Sequence, residues 1–158
     1  MCPDYTANSN GLQAPIFDPG ILLRNAHLQT VLPSLIRSVR GVRYERERID
    51  TPDGDFLDLD WSRRGHKRLA VVLHGLESSA RQSYVRGMIQ AFNRRGYDGL
   101  GFNLRGCSGI PNRLLASYHS GATGDIRMVL DRIARESEYR DVFLVGFSLG
   151  GNITLKLL

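Results

Sequence analysis

A serine between two glycines, near the end of the chain, has the neighbours that a catalytic nucleophile requires. An apolar, strand-like run ends at Gly146, and Phe147, Ser148, Leu149 and Gly150 lead from it into a helix-compatible segment. In this G-x-S-x-G pattern a tight strand-to-helix turn holds the serine in a strained backbone conformation. The two glycines let strand and helix approach without a clashing Cβ atom. The pattern therefore predicts that Ser148 is a nucleophile, with the Leu149 amide beside it as an oxyanion donor.

Two further glycine-containing loops follow strand-like runs, His-Gly-Leu-Glu-Ser at 74–78 and Arg-Gly-Cys-Ser-Gly at 105–109. Ligands of parallel sheets collect at the carboxyl ends of the strands, so we expect both loops to converge on the Ser148 turn. A bare G-x-S-x-G also occurs by chance in glycine-rich turns, but the preceding strand and these upstream loops favour catalysis. The candidate site-loop residues are His74, Gly75, Arg105, Gly106 and Cys107.

Other residues could do chemistry, but each has a simpler interpretation. A histidine before glycine, such as His74, more often ties a turn to neighbouring backbone than abstracts a proton. His119 lies in a loop that could border the site and His27 lies near the N-terminus, and a structural or surface role is favoured for both. Cys107 has no evident paired base, so we interpret it as a small loop residue.

Four aspartates flank a predicted turn at 51–54 and could suggest a cation site: Asp53, Asp55, Asp58 and Asp60. Their separation across the turn and along a polar strand face favours a solvated surface instead. The sequence indicates neither a metal site nor a cofactor.

The periodicity of the chain predicts an α/β fold with a mainly parallel sheet. The run at 69–73 is continuously apolar, as in a parallel strand covered on both faces. The other predicted elements are two antiparallel strands at 42–49 and 56–61, a helix at 80–95, a strand at 97–104, a helix beginning near Asp125, and the strand and helix around Ser148. The order β-β-β-α-β-α-β-α implies right-handed crossovers with helices flanking the sheet.

Residues 1–40 have too much Pro, Gly, Asn and Ser for a core of their own. We expect them to form an arm, with short helical turns separated by Pro33, that packs across a body formed by residues 41–158.

Composition bounds the partners and the compartment. The 158 residues carry a net charge of +5, but the 21 basic residues are scattered and no basic run alternates with aromatics. Nucleic acid is therefore not a predicted partner. Cys2 and Cys107 form neither a disulfide framework nor a metal-ligand spacing, which fits a reducing compartment. With no leader-like N-terminus and no run long enough to span a membrane, the sequence predicts a cytoplasmic protein without an integral membrane segment.

Several motifs together resemble the YheT-like α/β-hydrolases. They are NAHLQT at 25–30, LHGLES at 73–78, NLRGCSG at 103–109, PNR at 111–113, YHSG at 118–121 and GFSLGGN at 146–152. The resemblance implies an α/β-hydrolase fold and a Ser-His-Asp hydrolase acting on carboxylic esters, either short-chain esters or monoacylglycerols. It also implies that the Leu76 amide is the second oxyanion donor. Two loop positions depart from the family, with Ser78 in place of the usual glycine and Ile110 in place of an acidic residue.

In this family the acid and the histidine follow the serine along the chain, yet only ten residues follow Ser148 and none is acidic or histidine. We therefore expect the 158 residues to be the N-terminal half of the enzyme, with negligible ester hydrolysis on their own. The strand at 142–147 would then be an apolar sheet edge through which the chain self-associates. A non-catalytic α/β-hydrolase-like binding module and an acyltransferase are the alternative functions.

Overall fold

The computed structural model describes residues 18–21 and 24–158. They fall into two units, one ending at Arg37 and one running from Ser38 to Leu158. The first unit contains α1 (Ala26–Ile36), whose first turn is capped by Asn25: its Oδ1 accepts hydrogen bonds from the His27 and Leu28 amides at 2.9 and 3.3 Å. The expectation that Pro33 separates two helical turns was wrong, because α1 continues through this position.

The second unit is built on one five-stranded sheet. Its strands are β1 (Glu45–Asp50), β2 (Phe56–Ser62), β3 (Arg68–Leu73), β4 (Asp98–Phe102) and β5 (Asp141–Gly146), in the spatial order β1-β2-β4-β3-β5. β3 pairs in parallel with both β4 and β5, whereas β2 is antiparallel to β1 and β4. The helices are α2 (Ser83–Asn93), α3 (Gly124–Glu136) and α4 (Leu149–Leu157). The predicted α/β class and element order are confirmed.

Hydrophobic packing on both faces of β3 makes it the centre of the core. Leu69 to Leu73 are fully buried, as the continuous apolar run predicts. Val72 packs in one cluster with Val85 and Ile89 of α2, while the other cluster combines the sheet with α3 and α4. A Cβ atom on Gly99 or Gly101 would lie 2.5 Å from Ile89 Cγ2 or 2.6 Å from Ala80 Cβ. These glycines of β4 therefore let α2 and the segment before it pack directly on the sheet.

The aspartates of the β1–β2 hairpin do not form the solvated face that we expected. The side chains of Asp55, Asp58 and Asp60 are fully buried, and that of Asp53 is 45% exposed. Register explains the burial of Asp58 and Asp60, because β1 places Arg48 opposite Asp58 and Arg46 opposite Asp60. Each pair forms two hydrogen bonds of 2.8 Å, so the carboxylates are buried with their countercharges. The alternating pattern of β2 does not by itself show which arginines pair with its aspartates.

Candidate active site

The predicted nucleophile, Ser148, lies at the turn between β5 and α4. Its backbone has φ 51° and ψ −117°, a conformation that residues other than glycine rarely adopt. The turn is fixed on both sides: the Phe147 amide donates to Leu73 O at 3.0 Å, and the Gly150 amide donates to Phe147 O at 2.9 Å. The Ser148 side chain is exposed at the end of the sheet. Strain at an exposed serine is the geometry that the G-x-S-x-G pattern predicts.

The glycines around Ser148 are needed for close backbone contact. A Cβ atom on Gly146 would lie 2.4 Å from Gly150 O and 2.5 Å from the Gly151 Cα. One on Gly150 would lie 2.5 Å from His74 O and 2.8 Å from Leu73 O. Real Cβ atoms do not come so close to backbone, so these positions admit glycine alone. The predicted close approach of strand and helix is present.

The loop at 74–78 lies against the Ser148 turn. A Cβ atom on Gly75 would be 3.3 Å from Ser148 Cβ and 3.5 Å from Phe147 O. The Leu76 amide nitrogen is two covalent bonds from the Gly75 α-carbon, so it lies in the immediate surroundings of the serine. In the described part of the chain, neither the Leu76 amide nor the Leu149 amide donates to a protein acceptor. Both N–H groups are therefore available to a developing oxyanion.

His74 is a buried structural residue, as we expected from its position before glycine. Its Nδ1 is 2.7 Å from Gly75 O, and its Nε2 is 3.1 Å from the Leu104 amide nitrogen. Because Nε2 accepts from that amide, the proton is assigned to Nδ1, which donates to Gly75 O. Burial lowers the pKa of His74 below its ordinary value, which keeps the ring neutral. With both nitrogens engaged, His74 joins the ends of β3 and β4 and cannot serve as a base for Ser148.

Within the described residues, neither Arg105 nor Cys107 hydrogen-bonds to Ser148. The Arg105 guanidinium binds both oxygens of Asp125 at 2.7 Å and Asp53 at 2.6 Å, so it clamps its loop to α3 and to the hairpin turn. The Gly106 amide donates to Asn112 Oδ1, which closes the loop on itself. Burial raises the pKa of the Cys107 thiol, so Cys107 is a poor nucleophile.

The described residues bring no general base to Ser148: no histidine or carboxylate within them hydrogen-bonds to its hydroxyl. His119 Nδ1 instead accepts from the Gly121 amide at 3.1 Å, and the Ser120 carbonyl accepts from Asn152 Nδ2 at 2.8 Å. The loop at 119–121 is thereby fastened to α4. His27 belongs to α1, in the unit that ends at Arg37.

Two tyrosines that the sequence analysis did not single out contact the site loops. The Tyr84 hydroxyl of α2 accepts from the Gly75 amide at 3.0 Å, and the Tyr118 hydroxyl accepts from the Glu77 amide at 2.8 Å. Tyr118 belongs to a family motif, which was a usable signal. Tyr84 lies in the predicted helix at 80–95 but in none of the motifs.

Among the cavities on the described surface, two share no lining residue with the Ser148 turn or the loop at 74–78. One of about 560 Å³ lies within the loop at 105–117, next to Ile110 and Leu114. The other, of about 450 Å³, lies between the hairpin and α3 and includes Trp61 and Tyr139. Chemistry rather than volume therefore identifies the site. Among the described residues, no helix has the length and apolarity that crossing a membrane requires.

Comparison with known proteins gives the same identification of the fold. The profile of the alpha/beta hydrolase fold family matches residues 71–158. YheT of Escherichia coli (strain K12), a protein named as an esterase, is 44% identical over 140 residues, which cover 85% of this chain and 41% of YheT. The monoacylglycerol lipase of Saccharomyces cerevisiae is 35% identical over 111 residues, covering 68% of this chain and 23% of the lipase.

More distant relatives agree with these. Phospholipase ABHD3 of Homo sapiens is 28% identical over 139 residues, which cover 82% of this chain and 34% of the phospholipase. The structure of the esterase Pf2001 from Pyrococcus furiosus superposes with a TM-score of 0.64 at 20% identity, covering 73% of this chain and 44% of that chain. The chain thus spans less than half the length of each of these proteins.

Proposed function

Because the chain belongs to the alpha/beta hydrolase fold family, we propose that it carries the nucleophile and the oxyanion hole of a serine hydrolase acting on carboxylic esters. The similarity to YheT confirms the resemblance that the motifs indicated. Relatives named as an esterase, a monoacylglycerol lipase and a phospholipase all point to esters of acyl groups. Short-chain esters or monoacylglycerols are therefore the proposed substrates.

The observation that carries the proposal is the exposed, strained Ser148 beside two free amides. In the proposed mechanism Ser148 Oγ attacks the ester carbonyl, and the Leu76 and Leu149 N–H groups stabilise the negative charge that develops on the carbonyl oxygen. Collapse of this intermediate releases the alcohol, and water then hydrolyses the acyl-serine. A serine hydroxyl needs an adjacent base for this attack. Since the described residues supply none, we propose that residues 1–158 alone hydrolyse esters negligibly.

The test measures hydrolysis of p-nitrophenyl butyrate by the protein expressed from its complete gene, whatever follows Leu158. The expected result is turnover that falls to background in Ser148→Ala, while Ser120→Ala, which changes an exposed serine fastened to α4, retains it. An active Ser148→Ala variant would contradict the proposal. A complete gene product that binds esters without turnover would favour a non-catalytic binding module, and transfer of the acyl group to an added alcohol would favour an acyltransferase.

We also propose that residues 1–158, expressed alone, self-associate through β5. Among the described strands β5 pairs only with β3, and its Val142 and Phe143 side chains are 40% and 45% exposed. An apolar edge with unpaired backbone groups is a template for strand addition. Sedimentation of a stable monomer at high concentration would contradict this.

A cytoplasmic location is proposed from the two-cysteine composition and the free thiol of Cys107.

A further inference from the structure

The loop at 74–78 contains little regular structure of its own, although the proposed Leu76 donor requires a fixed direction. Glu77 has φ 49°, in the left-handed region that residues other than glycine rarely adopt. A strained residue in an exposed loop persists only where surrounding contacts determine its conformation. The contacts that fix this loop are therefore important for the Leu76 amide.

Tyr84 holds the first half of the loop and connects it to the Ser148 turn. Its hydroxyl accepts from the Gly75 amide at 3.0 Å and lies 2.6 Å from Ser78 Oγ. Its ring packs edge-on against Phe147, with centroids 4.8 Å apart at 71°. Because Phe147 immediately precedes Ser148, the Tyr84 side chain of α2 contacts both the loop at 74–78 and the Ser148 turn. The Ser78 hydroxyl, which the resemblance did not predict, is one of its partners.

Tyr118 holds the second half of the loop from a different element. It lies between β4 and α3, and its hydroxyl accepts from the Glu77 amide at 2.8 Å across 41 residues of sequence. Tyr118 and Cys107 both pack against the hydrophobic core that the sheet forms with α3 and α4.

From these contacts we infer that Tyr84 and Tyr118 are positioning residues that fix the direction of the Leu76 amide. The inference rests on the proposed function, in which that amide is an oxyanion donor. The Gly75 and Glu77 amides immediately precede and follow the Leu76 amide, and each is bound by one of the two hydroxyls. With both neighbours fixed to different parts of the fold, the Leu76 N–H can turn only through the few dihedral angles between them.

The size of the effect follows from what a donor contributes. Losing an oxyanion-hole donor costs about 10²–10³ in kcat. A misplacement of about 1 Å can cost about 10². Removing one tyrosine hydroxyl leaves the Leu76 N–H in place but loosens it, so we expect kcat to fall roughly tenfold to a hundredfold. KM should change little, because each hydroxyl is engaged with a backbone amide of the loop.

The experiment compares Tyr84→Phe and Tyr118→Phe with the wild type, all expressed from the complete gene. Phenylalanine keeps the ring packing and removes only the hydroxyl. Tyr97→Phe is the matched control, because the Tyr97 hydroxyl contacts Arg68, the first residue of β3, and does not contact the loop at 74–78 or the Ser148 turn. Residue-resolved amide hydrogen exchange and p-nitrophenyl butyrate kinetics are measured on each. Ser78→Ala, which leaves the Gly75 hydrogen bond intact, serves as a milder variant of the Tyr84 contact.

The expected result is exchange at least about tenfold faster at Gly75 in Tyr84→Phe and at Glu77 in Tyr118→Phe, each with the lowered kcat and unchanged KM. Tyr97→Phe should match the wild type in both measurements. Unchanged exchange at these amides overturns the inference, as does faster exchange with an unchanged kcat. If the wild type turns over no ester, the proposed function fails. Exchange at Gly75 and Glu77 then still decides whether the tyrosines fix the loop, and unchanged values there overturn it.

Discussion

The Ser148 turn and the β1–β2 hairpin are both held by distant parts of the chain, but by opposite physical means. Around Ser148, glycines let backbone segments touch, and neutral groups such as His74 and Tyr84 complete the contacts. In the hairpin, buried carboxylates are matched to arginines, as in the Asp60–Arg46 pair. The Ser148 turn depends on glycines that carry no Cβ atom, whereas the hairpin depends on buried ion pairs. Different substitutions should therefore disrupt the two regions.

The largest expected effect is on the backbone contact at Ser148. Gly146→Ala would place a Cβ atom 2.4 Å from Gly150 O, and a backbone carbonyl cannot move aside as a flexible side chain can. We expect a loss of more than about 4 kcal/mol in the free energy of unfolding, which is at the upper end for a point substitution. Urea unfolding followed by circular dichroism measures it.

Gly124→Ala is the control for that substitution, because a Cβ atom there meets nothing within 4 Å and the position begins α3. It should be neutral or slightly stabilising. Equal effects of the two substitutions would show that close backbone contact does not hold the turn.

The second effect tests the charged region. Asp60→Ala would leave Arg46 Nε and Nη2 without their acceptor and would remove one of the two acceptors of Asn103 Nδ2. Breaking one partner of a buried ion pair costs about 3 kcal/mol or more. Asp131→Ala, in the exposed middle of α3, should change stability by less than about 0.5 kcal/mol. If both variants unfold at the same urea concentration as wild type, the hairpin is not held by its ion pairs.

A smaller effect on the free energy of unfolding, of opposite sign, is expected from a substitution in the loop at 74–78. Glycine adopts positive φ without the penalty that Glu77 bears, so Glu77→Gly should stabilise the protein by up to about 1 kcal/mol. Glu136→Gly, at the last residue of α3, should destabilise it by about 1 kcal/mol, because glycine has a low helix propensity and the ion pair with Arg132 is lost. Thermal unfolding of the two variants distinguishes these signs, and destabilisation by both would mean that Glu77 carries no backbone strain.

The smallest effect separates the two regions by pH. His74 has a folded-state pKa lowered by burial, so the unfolded chain takes up its proton first as pH falls below the ordinary value of 6.5. The stability linked to His74 is full above about pH 6.5 and is lost as pH falls through the lower folded value. Burial would raise the pKa of Asp55, but hydrogen bonds from the Arg113 amide and others lower it below 3.8. That stability persists to more acidic pH.

Amide exchange measures this difference directly. The Leu104 amide donates to His74 and the Arg113 amide donates to Asp55. Corrected for the intrinsic pH dependence, protection at Leu104 should fall as pH is lowered below about 6.5, while protection at Arg113 is retained. A simultaneous loss at both amides would show that they do not report separate regions.

How much the sequence could predict follows the same division. The G-x-S-x-G turn was predictable because a strand-like run precedes it and two glycine-containing loops lie upstream. The run at 69–73 was predictable because a continuously apolar strand must be covered on both faces. The burial of Asp58 was not predictable, because an aspartate in an alternating strand is ordinarily solvated unless it is paired with a countercharge. Its arginine became visible only with the register between β1 and β2.

The candidate site shows the same limit. Ser148 and the loop at 74–78 followed from motifs, and so did the structural role of His74. The function of Arg105 as a clamp, and of Tyr84 as the connection between the two site loops, depends on contacts that the sequence alone does not display. Such contacts need the fold before they can be seen.

The most direct test of the central claim is the covalent reaction of Ser148. The protein expressed from its complete gene is incubated with a fluorophosphonate, which phosphonylates activated serines, and the labelled residue is located by peptide mass spectrometry. The expected result is one label, on Ser148, and none in Ser148→Ala. A label on another residue, or a wild-type protein that stays unlabelled, would contradict the assignment of Ser148 as the nucleophile.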